Sequence, residues 1–179
     1  MEIRKLEKLS LNFIPEWELN GYHTDKIFVV SAIETGNVFE FSLREKKQHY
    51  RKIWHTSEED FDRLNSIINQ GHSFGVYHGD LLVAWAICDF RPKNNSLFIE
   101  SFMVREEFRG QNMGKMLIKS INREAKNLKC RLVELETQNT NFHTIKFFQR
   151  AGFAITGINT KLYNDSVETA LFMSFDILI

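Results

Sequence analysis

The chain has 179 residues, and its 23 lysine and arginine residues balance 23 aspartate and glutamate residues. This length suits one domain, 1–179, and zero net charge gives no electrostatic case for binding nucleic acid or an anionic membrane. The longest apolar runs fall far short of the ~18 residues that cross a bilayer. Residues 1–5 lack a hydrophobic signal region, so we expect a cytoplasmic protein.

The first 57 residues are predicted to be an N-terminal elaboration that contains a β-hairpin at 27–43. Residues 27–33 and 38–43 are rich in β-branched and aromatic side chains, and residues 34–37 between them suit a tight turn. Ser57 is then expected to cap a helix that ends at Gly71. Its apolar side chains recur at helical spacing, at Phe61, Leu64, Ile67 and Ile68.

The remaining pattern changes from strands to alternating helices and strands. Three antiparallel strands are followed by a helix with one apolar face, a strand, a short helix and a final pair of strands. The α/β fold expected from this order is a mixed, mostly antiparallel sheet of about seven strands flanked by helices. The predicted bounds are 73–77, 81–88, 97–104, 113–128, 131–137, 141–151, 153–163 and 167–175.

The turn after the strand 97–104 has the composition of an anion site. Gly110 and Gly114 let the backbone approach an anion, and the helix that begins at Met113 directs unpaired N–H groups to the same place. Arg109 and Lys115 add positive charge. Such a turn is equally common as a plain connection, so these residues alone leave both interpretations open.

Cys88 and Cys130 are expected to be buried thiols, because two cysteines are too few for a disulfide framework or a zinc site. The six histidines show no metal-ligand spacing. The sequence therefore predicts no metal.

Three segments together resemble the acetyl-CoA-dependent N-acetyltransferases of the GNAT superfamily. They are Ile99 to Val104, then Arg109 to Gly114, then Leu135-Glu136-Thr137-Gln138 with Asn141, Phe147, Gly152 and Phe153. The resemblance spans residues 73–175, which it implies to be the acetyl-CoA-binding core. The run from Leu135 and the segment from Tyr163 to Phe172 are most similar to the streptothricin acetyltransferase subgroup.

The resemblance implies acetyl-CoA as co-substrate and a set of residues that bind it. The end of the strand would pair with the pantetheine arm, the turn would bind the pyrophosphate, and the next helix would contribute further contacts. The implied cofactor-binding residues are Phe102, Met103, Val104, Arg109, Gly110, Gln111, Asn112, Met113, Gly114, Lys115, Asn141 and Phe148. For Asn141, a simple helix N-cap is an equally good interpretation.

Two positions depart from the superfamily pattern. Asn112 stands where the turn usually has glycine, although asparagine tolerates the left-handed conformation better than other side chains do. Phe148 stands where relatives carry a tyrosine that protonates the departing thiolate, and phenylalanine cannot donate a proton. Tyr163 is the candidate substitute acid, with packing on an edge strand as the alternative.

Attack on a thioester needs a neutral amine, so a group must take the amine's proton. Glu100 is the candidate base, because strand alternation places it on the same face as Phe98 and Phe102, where it would be partly buried. The alternative is a solvated or salt-bridged strand glutamate. Glu136 is a second catalytic candidate that would orient the amine or Glu100, or would cap the following loop.

The expected function is direct acetyl transfer to a primary amine, from a small molecule of the streptothricin or polyamine type. The alternatives are a non-catalytic acyl-CoA-binding regulatory module and a protein or peptide N-acetyltransferase. A nucleotide-binding loop is disfavoured, because three residues separate the two glycines where four are needed. Trp17, Tyr22 and Trp54 would line an acceptor pocket or pack in the core, and a homodimer stays open.

Overall fold

The computed structural model describes residues 1–10, 21–53, 57–165 and 167–177. Helices and strands follow one another in the order expected from the sequence, with a short strand added at the N-terminus. In chain order they are β1 (Glu2–Lys5), β2 (Gly21–Thr35), β3 (Val38–Ile53), α1 (Glu58–Ile68), β4 (Phe74–His78), β5 (Leu81–Arg91), β6 (Ser96–Val104), a 3₁₀ turn (Glu106–Phe108), α2 (Met113–Asn127), β7 (Leu132–Gln138), α3 (Phe142–Arg150), β8 (Ala154–Asn159) and β9 (Ala170–Asp176).

Seven strands form one sheet in the order β1-β4-β5-β6-β7-β9-β8, and β2 with β3 forms a separate two-stranded sheet. The pairs β1/β4, β4/β5 and β5/β6 are antiparallel, whereas β6 and β7 are parallel. Parallel neighbours need a crossover connection, and α2 supplies it. The mixed, mainly antiparallel sheet of seven strands confirms the predicted fold class.

The described chain divides into two compact units. The first unit takes residues 1–10, 57–135 and 174–177, and the second takes 21–53, 136–165 and 167–173. Each unit is built from separated stretches of sequence. The expected single domain, 1–179, stays a prediction.

An apolar cluster holds the first unit together between the N-terminal segment, α1 and β5. Ser57 caps α1 through a capping box with Asp60, which satisfies the orphan N–H groups at the helix start and fixes where the helix begins. The helix then buries the side chains expected from its spacing. The cluster comprises Leu6, Leu9, Phe61, Ile67, Ile68, Leu82, Trp85 and Ile87, with Leu64 packed against it.

The second unit is centred on the hairpin β2–β3 and the helix α3. Phe28 of β2 stacks on Phe142 of α3 with ring centroids 5.2 Å apart. The side chain of Lys146 pairs with Glu45 of β3 at 2.5 Å and also lies over the Phe28 ring. One face of the hairpin is therefore packed on α3 near its base.

The structure differs from the sequence-based prediction at the N-terminus, in the hairpin and in the last two strands. The strand β1 was not predicted, and the hairpin is longer than 27–43 and lies outside the seven-stranded sheet. The last two strands are shorter than 153–163 and 167–175, so Tyr163 lies in a bend after β8 and not on an edge strand.

Both cysteines are free and buried, as predicted, and burial raises the pKa of each thiol. In the parts of the chain that the structure describes, no three His, Cys, Asp or Glu side chains are grouped so as to hold a metal ion. None of the helices within those parts is long and apolar enough to span a membrane.

Gly21 has no room for a side chain. Its φ of +142° disfavours L-residues, and a Cβ added there would lie 1.7 Å from the carbonyl oxygen of Lys52. We expect Gly21→Ala to lower the free energy of unfolding by at least about 3 kcal/mol, from backbone strain together with overpacking. Chemical denaturation followed by circular dichroism measures this.

Gly157→Ala is the matched control for that variant, because a Cβ there would meet Phe172 at an ordinary 3.7 Å. We expect it to change the free energy of unfolding by less than about 1 kcal/mol. Equal effects of the two substitutions would contradict the close approach at Gly21.

Candidate functional site

The parallel pairing of β6 with β7 is short and stops partway along β6. Ser96 to Ile99 lie in register with Leu132 to Leu135, and the register extends no further among the described residues. On the other side, Phe102, Met103 and Val104 continue to pair with Ala86, Trp85 and Ala84 of β5. The segment 102–104, expected to bind the pantetheine arm, therefore lies beyond the point where the β6–β7 ladder ends.

Glu100 is the extra residue of a β-bulge. Cys88 pairs with Ile99 and Ile87 pairs with Ser101, so Glu100 has no opposite residue on β5. A bulge redirects a side chain and interrupts the alternation of faces. The prediction that Phe98, Glu100 and Phe102 share one face by strict alternation therefore cannot extend across this position.

Two arginines surround the Glu100 carboxylate. Arg63 of α1 donates a short hydrogen bond to Oε1, and Nη2 of Arg91 lies 3.8 Å from Oε2. Arg91 also lies over the Phe98 ring, 3.6 Å from its centroid, so Phe98 and Glu100 are on the same side of β6. The salt-bridged alternative is therefore present in the structure.

Glu100 nonetheless keeps access to solvent. Its side chain is 19% exposed, and that of Arg63 is 53% exposed. The carboxylate is therefore partly buried, as predicted, without being sealed. Arg63 and Arg91 were not predicted as neighbours of Glu100, because nothing in the sequence indicates that α1 would bring Arg63 to β6.

The turn between β6 and α2 has the backbone that the glycine pattern predicted. Gly110 has φ +76° and Asn112 has φ +69°, so asparagine adopts the left-handed conformation in place of the usual glycine. The helix then begins at Met113. Asn112 occupies the N-cap position but makes no side-chain capping hydrogen bond, in contrast to Ser57 at α1.

Charge around this turn is suited to an anion. The first turn of α2 contains no acidic residue, and the side chains of Arg109 and Lys115 are exposed. Arg109 Nε donates to the Val104 carbonyl oxygen at 3.2 Å, and Gln111 donates to the carbonyl of Glu107 at 2.8 Å. The first N–H groups of a helix have no intrahelical acceptor, so those at the start of α2 are able to bind an anion.

The second unit holds the other predicted catalytic side chains. Tyr163 donates a short hydrogen bond from its hydroxyl to Oε1 of Glu136, so these two candidates are direct partners. Asn141 is the N-cap residue of α3, but its side chain makes no capping hydrogen bond. This geometry disfavours the simple N-cap interpretation of the Asn141 amide.

Phe148 is a core residue of the second unit. It is 1% exposed, and its ring packs edge-on against Phe147 and Phe153, each with centroids 5.1 Å away. Its contact with the cofactor stays a prediction, while its packing role is evident.

A buried polar cluster around Glu168 was missed by the sequence analysis. The Glu168 side chain is fully buried and accepts hydrogen bonds from Lys52 at 2.5 Å, Tyr50 at 3.0 Å and Thr140 at 3.3 Å. Tyr22 shares a 2.5 Å hydrogen bond with Thr140. The cluster joins the hairpin to residues 140 and 168 of the same unit, more than 110 positions later.

Burial raises the pKa of both phenols in this cluster. Burial, with the adjacent Glu168 carboxylate, raises the pKa of Tyr50 to about 12. Burial also raises the pKa of Tyr22 above its ordinary value. Tyr22, expected in an acceptor pocket or in the core, is half-buried in this cluster, whereas Trp17 and Trp54 lie outside the described residues.

The sequence pattern of the Acetyltransferase (GNAT) family matches residues 15–153, which is more than half of the chain. The chain belongs to that family. The resemblance stated from the motifs is thereby confirmed, and the seven-stranded sheet with a crossover helix after the Arg109–Lys115 turn is the fold on which these motifs lie.

Curated relatives match part of the chain. A spermine/spermidine N(1)-acetyltransferase of Bacillus subtilis is 29% identical over 90 residues, covering 46% of this chain and 59% of the relative. A streptothricin acetyltransferase of Streptomyces lavendulae is 31% identical over 99 residues, covering 54% of this chain and 52% of that protein. The chain thus spans little more than half the length of these relatives.

Solved structures match nearly the whole chain. A nourseothricin acetyltransferase has a TM-score of 0.76 at 25% identity, covering 99% of this chain and 98% of that one. A protein assigned as a streptothricin acetyltransferase from Bacillus anthracis, in complex with acetyl coenzyme A, has a TM-score of 0.74 at 24% identity and covers 98% and 96% of the two chains. The likeness therefore includes the hairpin β2–β3 as well as the core.

The Glu168 cluster predicts a large stability effect. Glu168→Gln leaves the Lys52 ammonium, whose side chain is 24% exposed, without its charged partner. We expect the free energy of unfolding to fall by about 3 kcal/mol, because breaking a buried ion pair leaves an uncompensated charge. Chemical denaturation measures this difference.

Glu34→Gln serves as the control, since Glu34 is exposed on the same hairpin. It should change the free energy of unfolding by less than about 0.5 kcal/mol. A Glu168→Gln protein as stable as this control would show that the buried pair contributes nothing.

Proposed function

We propose that this protein is an acetyl-CoA-dependent N-acetyltransferase that moves the acetyl group directly to a primary amine. The observation that carries the proposal is the Arg109–Lys115 turn. Gly110 and Asn112 adopt the left-handed conformation just before α2 begins, and no side chain caps the start of that helix. The turn follows β6, whose pairing with β7 ends at Ile99. Family membership and the acetyl coenzyme A complex of a structural relative support the same cofactor.

The turn would bind the cofactor's pyrophosphate through backbone donors. N–H groups at the start of α2 and the positive end of the helix dipole act together on an anion. Arg109 and Lys115 add charges that solvent and salt screen more strongly, because both side chains are exposed. The backbone of 102–104 would hold the pantetheine arm, and a strand N–H would polarise the thioester oxygen.

Glu100 is proposed as the general base, acting through a water molecule. The carboxylate contacts Arg63 and Arg91, and its partial exposure gives water access to it. At the bulge, Glu100 lies on the same side of β6 as Phe98, beside Arg91. The exposed Arg63 side chain can leave the carboxylate when substrate enters.

Glu136 and Tyr163 are proposed as the acid partners of the reaction. Phe148 cannot protonate the departing thiolate, whereas the Tyr163 hydroxyl carries a proton that it already shares with Glu136. To protonate the thiolate, the hydroxyl would turn its single proton away from Glu136, and the resulting tyrosinate would regain a proton from solvent.

A small cationic amine is the proposed acceptor. The relatives that support it are a spermine/spermidine N(1)-acetyltransferase, a streptothricin acetyltransferase and a nourseothricin acetyltransferase. An acceptor screen with acetyl-CoA that measures thiol release tests the proposal, with spermidine, streptothricin and lysine-containing peptides as acceptors. Release with the small amines is expected. Release with the peptides alone would overturn the acceptor class, and none with any amine would favour a binding module.

Asn112 allows a test of the cofactor site. Asn112→Gly should keep CoA affinity within about threefold, because glycine adopts the left-handed conformation without strain, whereas Asn112→Val should weaken CoA binding by at least about tenfold. Calorimetric titration of CoA gives both affinities. Equal affinities of the glycine and valine variants would remove the turn from the cofactor site.

Glu100 allows a test of the chemistry. General-base assistance contributes about 10²–10⁴ in rate, so Glu100→Gln should lower kcat/KM by about that range near neutral pH while CoA affinity changes little. Steady-state kinetics and CoA titration measure the two effects separately.

Glu59→Gln is the control for this variant, because Glu59 is an exposed carboxylate on α1, the helix that also carries Arg63. Its kcat/KM should stay within about twofold of the parent. Full activity of Glu100→Gln would instead assign the base to Glu136 or to a water held by backbone groups.

A further inference from the structure

The outer part of the hairpin β2–β3 exposes an unusual amount of apolar surface. We define the hairpin arm as residues 29–35 and 38–44. In it only Val30 and Leu43 are half-buried, and all other side chains are exposed. Five large hydrophobic side chains of the arm are between 42% and 58% exposed, namely Val29, Ile33, Val38, Phe39 and Phe41. Apolar surface of this kind marks an interaction site.

The strand register divides the arm into two faces. Residues opposite each other on antiparallel strands share a face, and successive residues alternate between faces. Val29 pairs with Arg44, Ser31 with Ser42 and Ile33 with Glu40, with no bulge among them. Thr35 pairs with Val38 at the next level. These eight residues lie on one face, here named the serine face, whereas Phe39 and Phe41 lie on the opposite face.

Three levels of the serine face, from Val29–Arg44 to Ile33–Glu40, have a symmetric pattern about the two serines. On β2, Val29 and Ile33 stand two residues to either side of Ser31. On β3, Arg44 and Glu40 stand two residues to either side of Ser42. The two serines form a small, polar centre. On either side of it, β2 presents the apolar residues Val29 and Ile33, and β3 presents the oppositely charged residues Arg44 and Glu40.

A two-fold axis through the Ser31–Ser42 level, along the hydrogen-bonding direction, makes this face complementary to itself. Such an axis reverses the strands and places β2 on β2 and β3 on β3. Ile33 then meets the partner's Val29, and Glu40 meets the partner's Arg44. Symmetry repeats both contacts, so two copies form two apolar contacts and two ion pairs around a centre where small serines permit close approach.

Other arrangements of the arm lack this match. An axis parallel to the strands would place Ile33 on the partner's Glu40. On the opposite face, the equivalent axis through the Ala32–Phe41 level would place Glu34 on the partner's Val30, with no ion pair. The charge pattern therefore favours a second copy of this chain, docked through the serine face, as the occupant.

We infer that two copies of this chain associate through their serine faces, with Glu40 of each arm paired to the partner's Arg44. The arm face measures about 24 Å by 10 Å from strand geometry. The surface area that such a dimer buries is smaller than the ~1,200–2,000 Å² of stable interfaces, so the dimer forms only at high concentration. Salt weakens it, because its ion pairs are at the protein surface.

Charge reversal on the full-length chain tests this pairing. Glu40→Arg and Arg44→Glu each create two like-charge contacts in a homodimer, so each should weaken self-association by at least about tenfold. The double variant Glu40→Arg/Arg44→Glu should restore it, because the ion pairs reform with exchanged signs. Sedimentation velocity over a range of concentrations measures association, and circular dichroism confirms folding.

Mixing the two single variants gives the sharpest readout. Each is repelled by its own copies, yet the charges at positions 40 and 44 are complementary between them. An equimolar mixture should therefore form a heterodimer at the parent's affinity, detected with a fluorescent label on one variant. A parent chain that is monomeric at every concentration, or a dimer that neither reversal weakens, would overturn the inference.

Discussion

Parallel strands cannot be joined by a tight turn, and the short β6–β7 ladder imposes this constraint on the chain. A crossover must begin where β6 ends, so the Arg109–Lys115 turn and the start of α2 lie directly after 102–104. The ladder covers only Ser96 to Ile99, and the bulge at Glu100 follows at once. The candidate base and the candidate anion-binding turn thus both follow the point where one four-residue pairing stops.

Local chemistry explains what the sequence predicted well. The capping box at Ser57, the left-handed Asn112 and the apolar face of α2 each depend on residues within a few positions of one another. Such features leave a local pattern in the amino-acid sequence from which they can be predicted. Other contacts join segments of the chain that no sequence pattern links. They are the contacts of Glu100 with Arg63 and Arg91, and of Glu168 with Lys52.

The hairpin shows the limit of pattern reading within a single strand. Its predicted end at residue 43 followed the loss of apolar residues, since Arg44 to Lys52 is mostly charged and polar. The strand nonetheless continues to Ile53, because β2 supplies backbone partners for the whole length and the Glu168 carboxylate draws in Lys52 and Tyr50. Tertiary pairing overrides local propensity there.

The discontinuous second unit has a consequence for synthesis on the ribosome. A hairpin forms in about 1–10 μs once its strands have emerged. Lys52 meets Glu168 only after 116 further residues, which at about 5–20 residues per second takes roughly 6–23 s. During the first part of that interval, until residues 142–150 have been made, the nascent hairpin also lacks α3 to cover Phe28. Its charged residues from Arg44 to Lys52 then keep the waiting strand from pairing with other chains.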